Sequence, residues 1–195
     1  MKLETKNFYK TVGALVLPIA LQNLINVAVT SADVVMLGRV GETVLSGSSL
    51  AGQVQFILTL FIFGLTSGAA VLTAQYWGKK DMRTIEKVMG IAFRFSIIVS
   101  VIFLLAVQIF PAQVMSIFTP EQPVIDEGVK YLRIVSFSYL TCAVTHVYLN
   151  VMRSVERVVI ATVTYSVSLI VNIVINGILI FGLLGFPQMG IVGAA

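Results

Sequence analysis

The sequence predicts an all-α membrane protein, a polytopic bundle of transmembrane helices. Of its 195 residues, 57% are hydrophobic and only 11% are charged, whereas an average soluble domain has about 25% charged residues. The mean hydropathy of +0.96 is too high for a soluble domain, which must cover most of its surface with water-compatible groups. The long apolar runs lack the strict alternation that strands of a membrane β-barrel would show, so the spans are predicted to be helices.

Five segments are long enough to cross a bilayer, whose hydrocarbon core of about 30 Å needs about 20 apolar residues per helix. The predicted spans are about 11–36, 44–76, 88–110, 129–152 and 158–184. Residues 185–187 (GFP) predict a turn, and 189–195 begin a sixth apolar segment that is too short to cross a membrane. We therefore expect residues 1–195 to form one transmembrane lobe that is cut early in its sixth helix.

The amino end has two interpretations. Three lysines in the first ten residues, an apolar stretch and a small residue at Ala32 resemble a secretory signal peptide. However, the apolar stretch contains three amide side chains between 22 and 26, and four further spans follow it. We interpret it as the first span.

The distribution of Lys and Arg predicts a cytoplasmic N-terminus, because cytoplasmic loops are enriched in these residues. In that orientation nine cations lie inside and three outside. The inside set is Lys2, Lys6, Lys10, Lys79, Lys80, Arg83, Lys87, Arg153 and Arg157, and the outside set is Arg39, Lys130 and Arg133. The connection 111–127 would lie outside, with a short interfacial helix at 112–118.

Asp33 is the acidic residue inside the first span, and a carboxylate there costs about 2.5–3.5 kcal/mol on insertion scales. It shares one helix face with Gln22, Asn26 and Thr30. This polar stripe predicts contact with a water-filled cavity or a partner helix. The alternative is that Asp33 only reaches the membrane interface near Arg39.

The fifth span has a matching stripe of Tyr165, Ser168, Asn172 and Asn176. From periodicity alone, hydrogen bonding between helices is the more common role for such asparagines. In the fourth span, His146 lies on a face with Tyr139, Cys142, Asn150 and Arg153. It is a possible secondary titrating site, although a lone His more often makes one fixed hydrogen bond.

Two backbone features in the spans bear on bending and packing. Pro18 removes one backbone donor from the first span and predicts a kink, which is either static or a hinge. Gly64 and Gly68 in the second span form a GxxxG pattern, which permits close helix crossing or bending.

Several function classes are excluded. Cys142 is the single cysteine, so no disulfide can form within the chain. There is no His pair, CxxC, GxSxG or phosphate-binding loop, so we expect no enzyme activity, no metal site and no tightly bound cofactor. The net charge of +4 is spread over the ends of apolar runs and predicts membrane orientation, with no nucleic-acid partner.

Three segments carry a more specific pattern. They are LVLPIALQNLINVAVTSADVVMLGRVGE in the first span, GAAVLTAQYWGKKD at the end of the second, and VNIVINGILIFGLLGFPQMGIVGAA from the fifth span onward. Together they resemble the N-terminal lobe of the multidrug and toxic compound extrusion (MATE) transporters, and this resemblance covers essentially the whole chain.

The resemblance implies twelve helices in two six-helix lobes, with a central cavity that opens alternately to either side of the cell membrane. It also implies export of amphipathic, often cationic, organic compounds coupled to Na⁺ or H⁺ influx. Asp33 matches the family's acidic residue of the first helix, and Asn172 and Asn176 match its polar pair in the fifth. In one branch the second of these is an aspartate, whereas Asn176 cannot titrate. The family's other proposed cation site lies in the C-terminal lobe.

The sequence therefore predicts half of a secondary active antiporter, a multi-pass protein of the cell membrane whose partners are the bilayer, small amphipathic substrates and the missing C-terminal lobe. Asp33 is the predicted site of the coupling ion or proton, and Pro18 is the predicted hinge. The predicted cavity-lining residues are Gln22, Asn26, Thr30, Tyr165, Ser168, Asn172 and Asn176. Two alternatives stay open: a lipid-linked flippase of the same superfamily, which should have a more cationic cavity, and a non-transporting scaffold or truncated remnant.

Overall fold

The fold was analysed from a computed structural model, which describes residues 2–181 and 190–194. Eight helices follow one another in this part of the chain, and it contains no strand. They are α1 (Lys2–Gly38), α2 (Glu42–Gly78), α3 (Met82–Ile109), α4 (Pro111–Ser116), α5 (Gln122–Val135), α6 (Ser138–Ser154), α7 (Val158–Phe181) and α8 (Ile191–Ala194). The predicted all-α fold is confirmed.

Four helices are long and apolar enough to cross a membrane, namely α1 over Val16–Gly38, α2, α3 and α7 over Val159–Ile180. The pair α5 and α6, counted as one broken span, brings the number to five. Large apolar side chains are exposed along these helices, among them Leu24, Phe63, Ile102 and Ile170. Exposed apolar surface of this extent suits contact with lipid rather than water. The predicted turn at 185–187 and the predicted end of the fifth span at 184 lie outside the described residues.

Two helices begin earlier than predicted. α1 begins at Lys2 rather than near residue 11, because no Gly or Pro interrupts the charged segment before the apolar stretch. α3 begins at Met82 rather than near residue 88, because Asp81 caps it by accepting hydrogen bonds from the Thr84 backbone (3.1 Å) and hydroxyl (2.6 Å). The Thr84 hydrogen bonds also hold the pKa of the Asp81 carboxyl below its usual range.

The prediction of one continuous fourth span was wrong. α5 and α6 are separate helices that meet at an angle of 57°. At the break the Phe137 amide bonds to the carbonyl of Ile134 rather than to that of Arg133. The Gln108 side chain of α3 donates instead to the Arg133 carbonyl and to the Ser136 hydroxyl, both at 2.8 Å. A side chain inserted into the backbone ladder is an established cause of a helix bend.

The helices pack as a pair, α1 and α7, against a group formed by α2 to α6. α1 packs chiefly on α7, whereas α2 packs on α3, α5 and α6. The main core lies between α2, α3, α4, α5 and α6, and includes Leu58, Ile62, Met115, Leu132 and Tyr139. α4 occupies most of the predicted interfacial helix at 112–118, and it is anchored to this core because Pro111 and Met115 are buried.

A close crossing of two helices lies at other glycines than those of the GxxxG pattern. A Cβ atom on Gly64 or Gly68 would meet nothing within 4 Å, whereas one on Gly47 would lie 2.9 Å from the backbone nitrogen of Gly128. α2 and α5 therefore cross in contact at Gly47 and Gly128. Close approach needs a facing small residue as well as a small-residue pattern, and sequence spacing does not identify the facing residue.

Candidate functional site

The predicted polar stripes of the first and fifth spans meet at one hydrogen bond. Asn176 Nδ2 of α7 donates to Asp33 Oδ1 of α1 at 2.8 Å, and the Asn176 side chain is buried. Among the described residues, no other side chain bonds to the Asp33 carboxyl group. The extensive packing of α1 on α7 positions both residues.

On another side Asp33 borders a cavity of about 600 Å³ between α1, α2 and α5. Most pockets that hold small ligands have volumes of about 300–1,000 Å³. Polar side chains from three helices line it, and Asp33 is the one charged residue among them. The polar lining residues are Thr30, Asp33, Ser48, Ser49, Gln53, Gln55, Thr59 and Tyr131.

Only some of the predicted cavity-lining residues lie on the wall of this cavity. Thr30 lines the same cavity wall as Asp33, and its hydroxyl donates to the backbone carbonyl of Asn26 at 3.1 Å. Asn26 and Ser168 are exposed and Tyr165 is half-buried, but none of these three lines this cavity. The side chain of Gln22 lies outside the described residues.

Asn172 lies one helical turn before Asn176 on the same face of α7. Its Oδ1 atom is buried and accepts no hydrogen bond from the described residues. Buried polar atoms are nearly always paired in folded proteins, so an unpaired amide oxygen one turn from the Asp33 contact is available to a cation or to a hydrogen-bond donor.

The polar face of α6 packs against α2 instead. Asn150 Nδ2 donates to Thr66 Oγ1 at 3.3 Å, and Gln55 Nε2 donates to Cys142 Sγ at 4.0 Å. His146 is half-buried and makes no hydrogen bond within the described chain. Asn150 and Cys142 thus connect α6 to α2, and Gln55, the partner of Cys142, also lines the cavity that Asp33 borders.

Sequence analysis missed the contribution of α2 and α5 to the cavity. Gln53, Gln55 and Thr59 of α2 and Tyr131 of α5 line it together with Asp33. Glutamines inside an apolar span are a signal as strong as the asparagines of the fifth span. In the second span, however, the prediction rested on the glycines alone.

The family profile described as MatE matches residues 18–178, which include both partners of the Asp33–Asn176 hydrogen bond. The chain belongs to the MatE family. The resemblance noted in the sequence is confirmed.

Curated relatives agree with this assignment. The chain is 24% identical over 195 residues to the probable multidrug resistance protein YoeA of Bacillus subtilis. The match covers 100% of this chain and 42% of that protein. It is 27% identical over 173 residues to the probable multidrug resistance protein NorM of Rhizobium meliloti, where the match covers 88% of this chain and 37% of that protein. This MatE chain thus spans about two fifths of the length of these relatives.

Solved structures share the fold. A MOP superfamily transporter from Pyrococcus furiosus matches with a TM-score of 0.84 at 18% identity, over 95% of this chain and 40% of that chain. A MATE protein in a bent conformation matches with a TM-score of 0.82 at 20% identity, over 95% and 41% of the two chains. The five spans are those of a multi-pass membrane protein with the architecture of one MATE lobe.

Proposed function

We propose that this MatE chain is the N-terminal lobe of an antiporter that exports amphipathic, often cationic, organic compounds in exchange for Na⁺ or H⁺. The observation that carries the proposal is the contact between Asp33 and Asn176 at the edge of a polar cavity. The family assignment and the multidrug resistance relatives support the same function. No chemical conversion of the substrate is part of it.

In this proposal Asp33 carries the coupling charge. A carboxylate can take up a proton or supply a negatively charged oxygen to Na⁺. The Asn172 Oδ1 atom, buried and unpaired within the described chain, is a second oxygen ligand for Na⁺ or a hydrogen-bond acceptor for the protonated carboxyl group. Asn176 holds Asp33 against α7, so a filled and an empty site differ in the strength of the α1–α7 contact. Pro18 is the proposed hinge through which that difference bends α1.

The lining of the cavity favours organic cations over the anionic head groups of a lipid-linked flippase. Among the described residues that line it, Asp33 is acidic and none is basic. A site for a lipid-linked phosphate would need Lys or Arg on the wall. The proposed location is the cell membrane, with a cytoplasmic N-terminus.

The test is efflux of a fluorescent organic cation from cells that produce the chain together with the C-terminal lobe. Asp33→Asn keeps the size and hydrogen bonding of the side chain but can neither exchange a proton nor give Na⁺ a full charge, so efflux should be lost at normal membrane levels. Asp33→Glu should keep part of the activity with a shifted dependence on pH or Na⁺. Normal efflux by Asp33→Asn would refute the coupling role, and no efflux by the unaltered protein would favour a non-transporting scaffold.

A further inference from the structure

Arg94 lies inside a membrane span and has no partner among the described residues. It is on α3, six residues past the start of the apolar stretch at Val88, which is about 9 Å along the helix axis. Its side chain is exposed. Charged residues inside spans are costly, and in most membrane proteins they face a cavity or pair with one another.

Around Arg94 the exposed face of α3 is apolar. Its neighbours there are Ile91, Phe95 and Ile98, all more than half exposed. The nearest acidic residue of α3, Glu86, lies about two turns away and about 80° around the helix. Within the described chain Arg94 makes no ion pair or hydrogen bond, so its charge is available to an anion outside these residues.

Arg94 belongs to a stripe of three cations on α3. At 100° per residue, Arg83, Lys87 and Arg94 fall within about 40° of one another. Side chains on a helix lean toward its N-terminus, so the guanidinium of Arg94 leans from the apolar region toward Lys87. The stripe therefore continues from the membrane interface at the N-terminal end of α3 into the adjoining part of the hydrocarbon layer.

Beside this stripe lies an apolar groove of about 340 Å³ between α2 and α3. It is open over Gly64 and Gly68, where nothing lies within 4 Å of the position of a Cβ atom. The α3 wall includes Val88 and Ile91, and Ile91 lies about 40–60° around the helix from Lys87 and Arg94. No residue that lines the groove is charged.

We propose that Lys87, Arg94 and this groove form a binding site for one anionic phospholipid. The phosphate lies between Lys87 and Arg94, and an acyl chain lies along the groove over Gly64 and Gly68. Unlike a second protein segment, a phospholipid supplies both the negative charge that Arg94 lacks and a flexible apolar chain that fits a narrow groove. The lipid belongs to the leaflet at the N-terminal end of α3, which is the cytoplasmic leaflet in the proposed topology.

The test is native mass spectrometry of the chain in detergent, titrated with phosphatidylglycerol and with phosphatidylcholine of identical acyl chains. Phosphatidylglycerol should bind more tightly. Arg94→Gln should weaken its binding at least about fivefold and leave phosphatidylcholine binding unchanged. Arg94→Lys should retain most of the affinity. Arg39→Gln, which removes one cation at the other end of the spans, is the matched control and should have little effect.

A second pair of variants tests the groove. Gly68→Leu fills it and should weaken binding of both lipids, whereas Ser67→Leu adds the same side chain at an exposed position outside the groove lining. Equal binding of the two lipids, or equal loss in Arg94→Gln and Arg39→Gln, would overturn the proposal and leave Arg94 to contact another protein segment. Asp33→Asn should bind phosphatidylglycerol normally, so failure of the coupling proposal would not affect this result.

Discussion

The carboxyl group of Asp33 makes its one hydrogen bond within the described chain to the amide of Asn176. Bonds to an ionised carboxylate are roughly twice as strong as those between neutral groups. The strength of this α1–α7 contact therefore depends on whether Asp33 is charged, protonated or shared with a cation. This dependence links an ion at one residue to the packing of two helices.

The two asparagines of α7 should differ in their effects. Asn176→Ala removes the donor to Asp33, and we expect coupled efflux per folded molecule to fall at least about tenfold, because a hydrogen bond to a charged group is worth about 1.5–3 kcal/mol. Asn26→Ala, at an exposed position on α1, is the control and should retain efflux. The measurements are efflux rate and membrane level of each variant.

If Asn176 served only to connect helices, its loss would lower stability by about 0.6 kcal/mol and leave transport per molecule intact. Equal losses of membrane level and activity would therefore contradict the assigned role. Asn172→Ala tests the unpaired amide oxygen separately. It should weaken the response to Na⁺ if that oxygen binds the coupling ion, and leave the contact of Asp33 with Asn176 in place.

For single residues, the sequence predicted which side chains share a polar helix face but not which other helices those faces contact. Helical periodicity placed Asp33 and Asn176 on polar stripes, because spacing alone determines which residues share a face. It could not predict that Tyr131 would line the same cavity as Asp33, since that depends on how α5 packs on α2. Pairing of faces is a property of the tertiary structure.

Among the helices, the crossing of α2 and α5 depends on the absence of two side chains. A Cβ atom on Gly47 would lie 2.9 Å from the Gly128 nitrogen and 3.1 Å from the carbonyl oxygen of Val124. A Cβ atom on Gly128 would collide with the buried Met115 side chain of α4. Three helices therefore meet at this point.

Gly47→Ala should destabilise the lobe by about 1–3 kcal/mol, because an extra methyl group in a filled contact forces the backbones apart. Gly64→Ala is the matched control on the same helix. It has open space around it, so higher helix propensity should leave stability unchanged or raise it by up to about 1 kcal/mol. Thermal unfolding in detergent measures both. Similar melting temperatures for the two variants would mean that the α2–α5 contact is not close in solution.

The bend between α5 and α6 depends on a residue from a third helix. Neither Pro nor Gly lies at 136–137, so the local sequence contains no common cause of a kink. The altered backbone bonding leaves the Arg133 carbonyl without an amide donor, and Gln108 of α3 supplies the shorter of its two side-chain hydrogen bonds, at 2.8 Å. Sequence analysis missed the bend because its cause lies more than twenty residues away.

Gln108→Leu keeps the bulk of the side chain but removes that donor. We expect a loss of about 0.5–1.5 kcal/mol, the net worth of a hydrogen bond, because the Arg133 carbonyl keeps only the longer bond from the Ser136 hydroxyl at 3.4 Å. Hydrogen exchange near 136–139 should become faster. Gln113→Leu in α4, whose side chain makes no hydrogen bond within the described chain, is the control. Equal stability of the two variants would mean that the bend does not need Gln108.

For the whole molecule, hydropathy predicted the number of spans because lipid requires a long apolar segment for each crossing. It could not predict the lengths of the helices beyond the membrane, where α1 and α3 extend through charged residues. Nor could it predict how α1 and α7 stand beside the other helices. That arrangement decides which faces are left for lipid and which for a second lobe.

The orientation of the lobe is the last prediction. Lys80 lies between α2 and α3, and Glu121 lies between α4 and α5, so α3 separates them by one crossing. Nine cations against three place Lys80 inside and Glu121 outside.

The measurement is labelling by a membrane-impermeant thiol reagent in a Cys142→Ser background, which removes the native cysteine. Glu121→Cys should react in intact cells, and Lys80→Cys should react only after the membrane is permeabilised. The reverse pattern would mean that the lobe has the opposite orientation in the membrane. It would also move the proposed site at Lys87 and Arg94 to the outer leaflet, because both residues lie on the Lys80 side of α3. A single labelling experiment therefore fixes the leaflet that supplies the phospholipid.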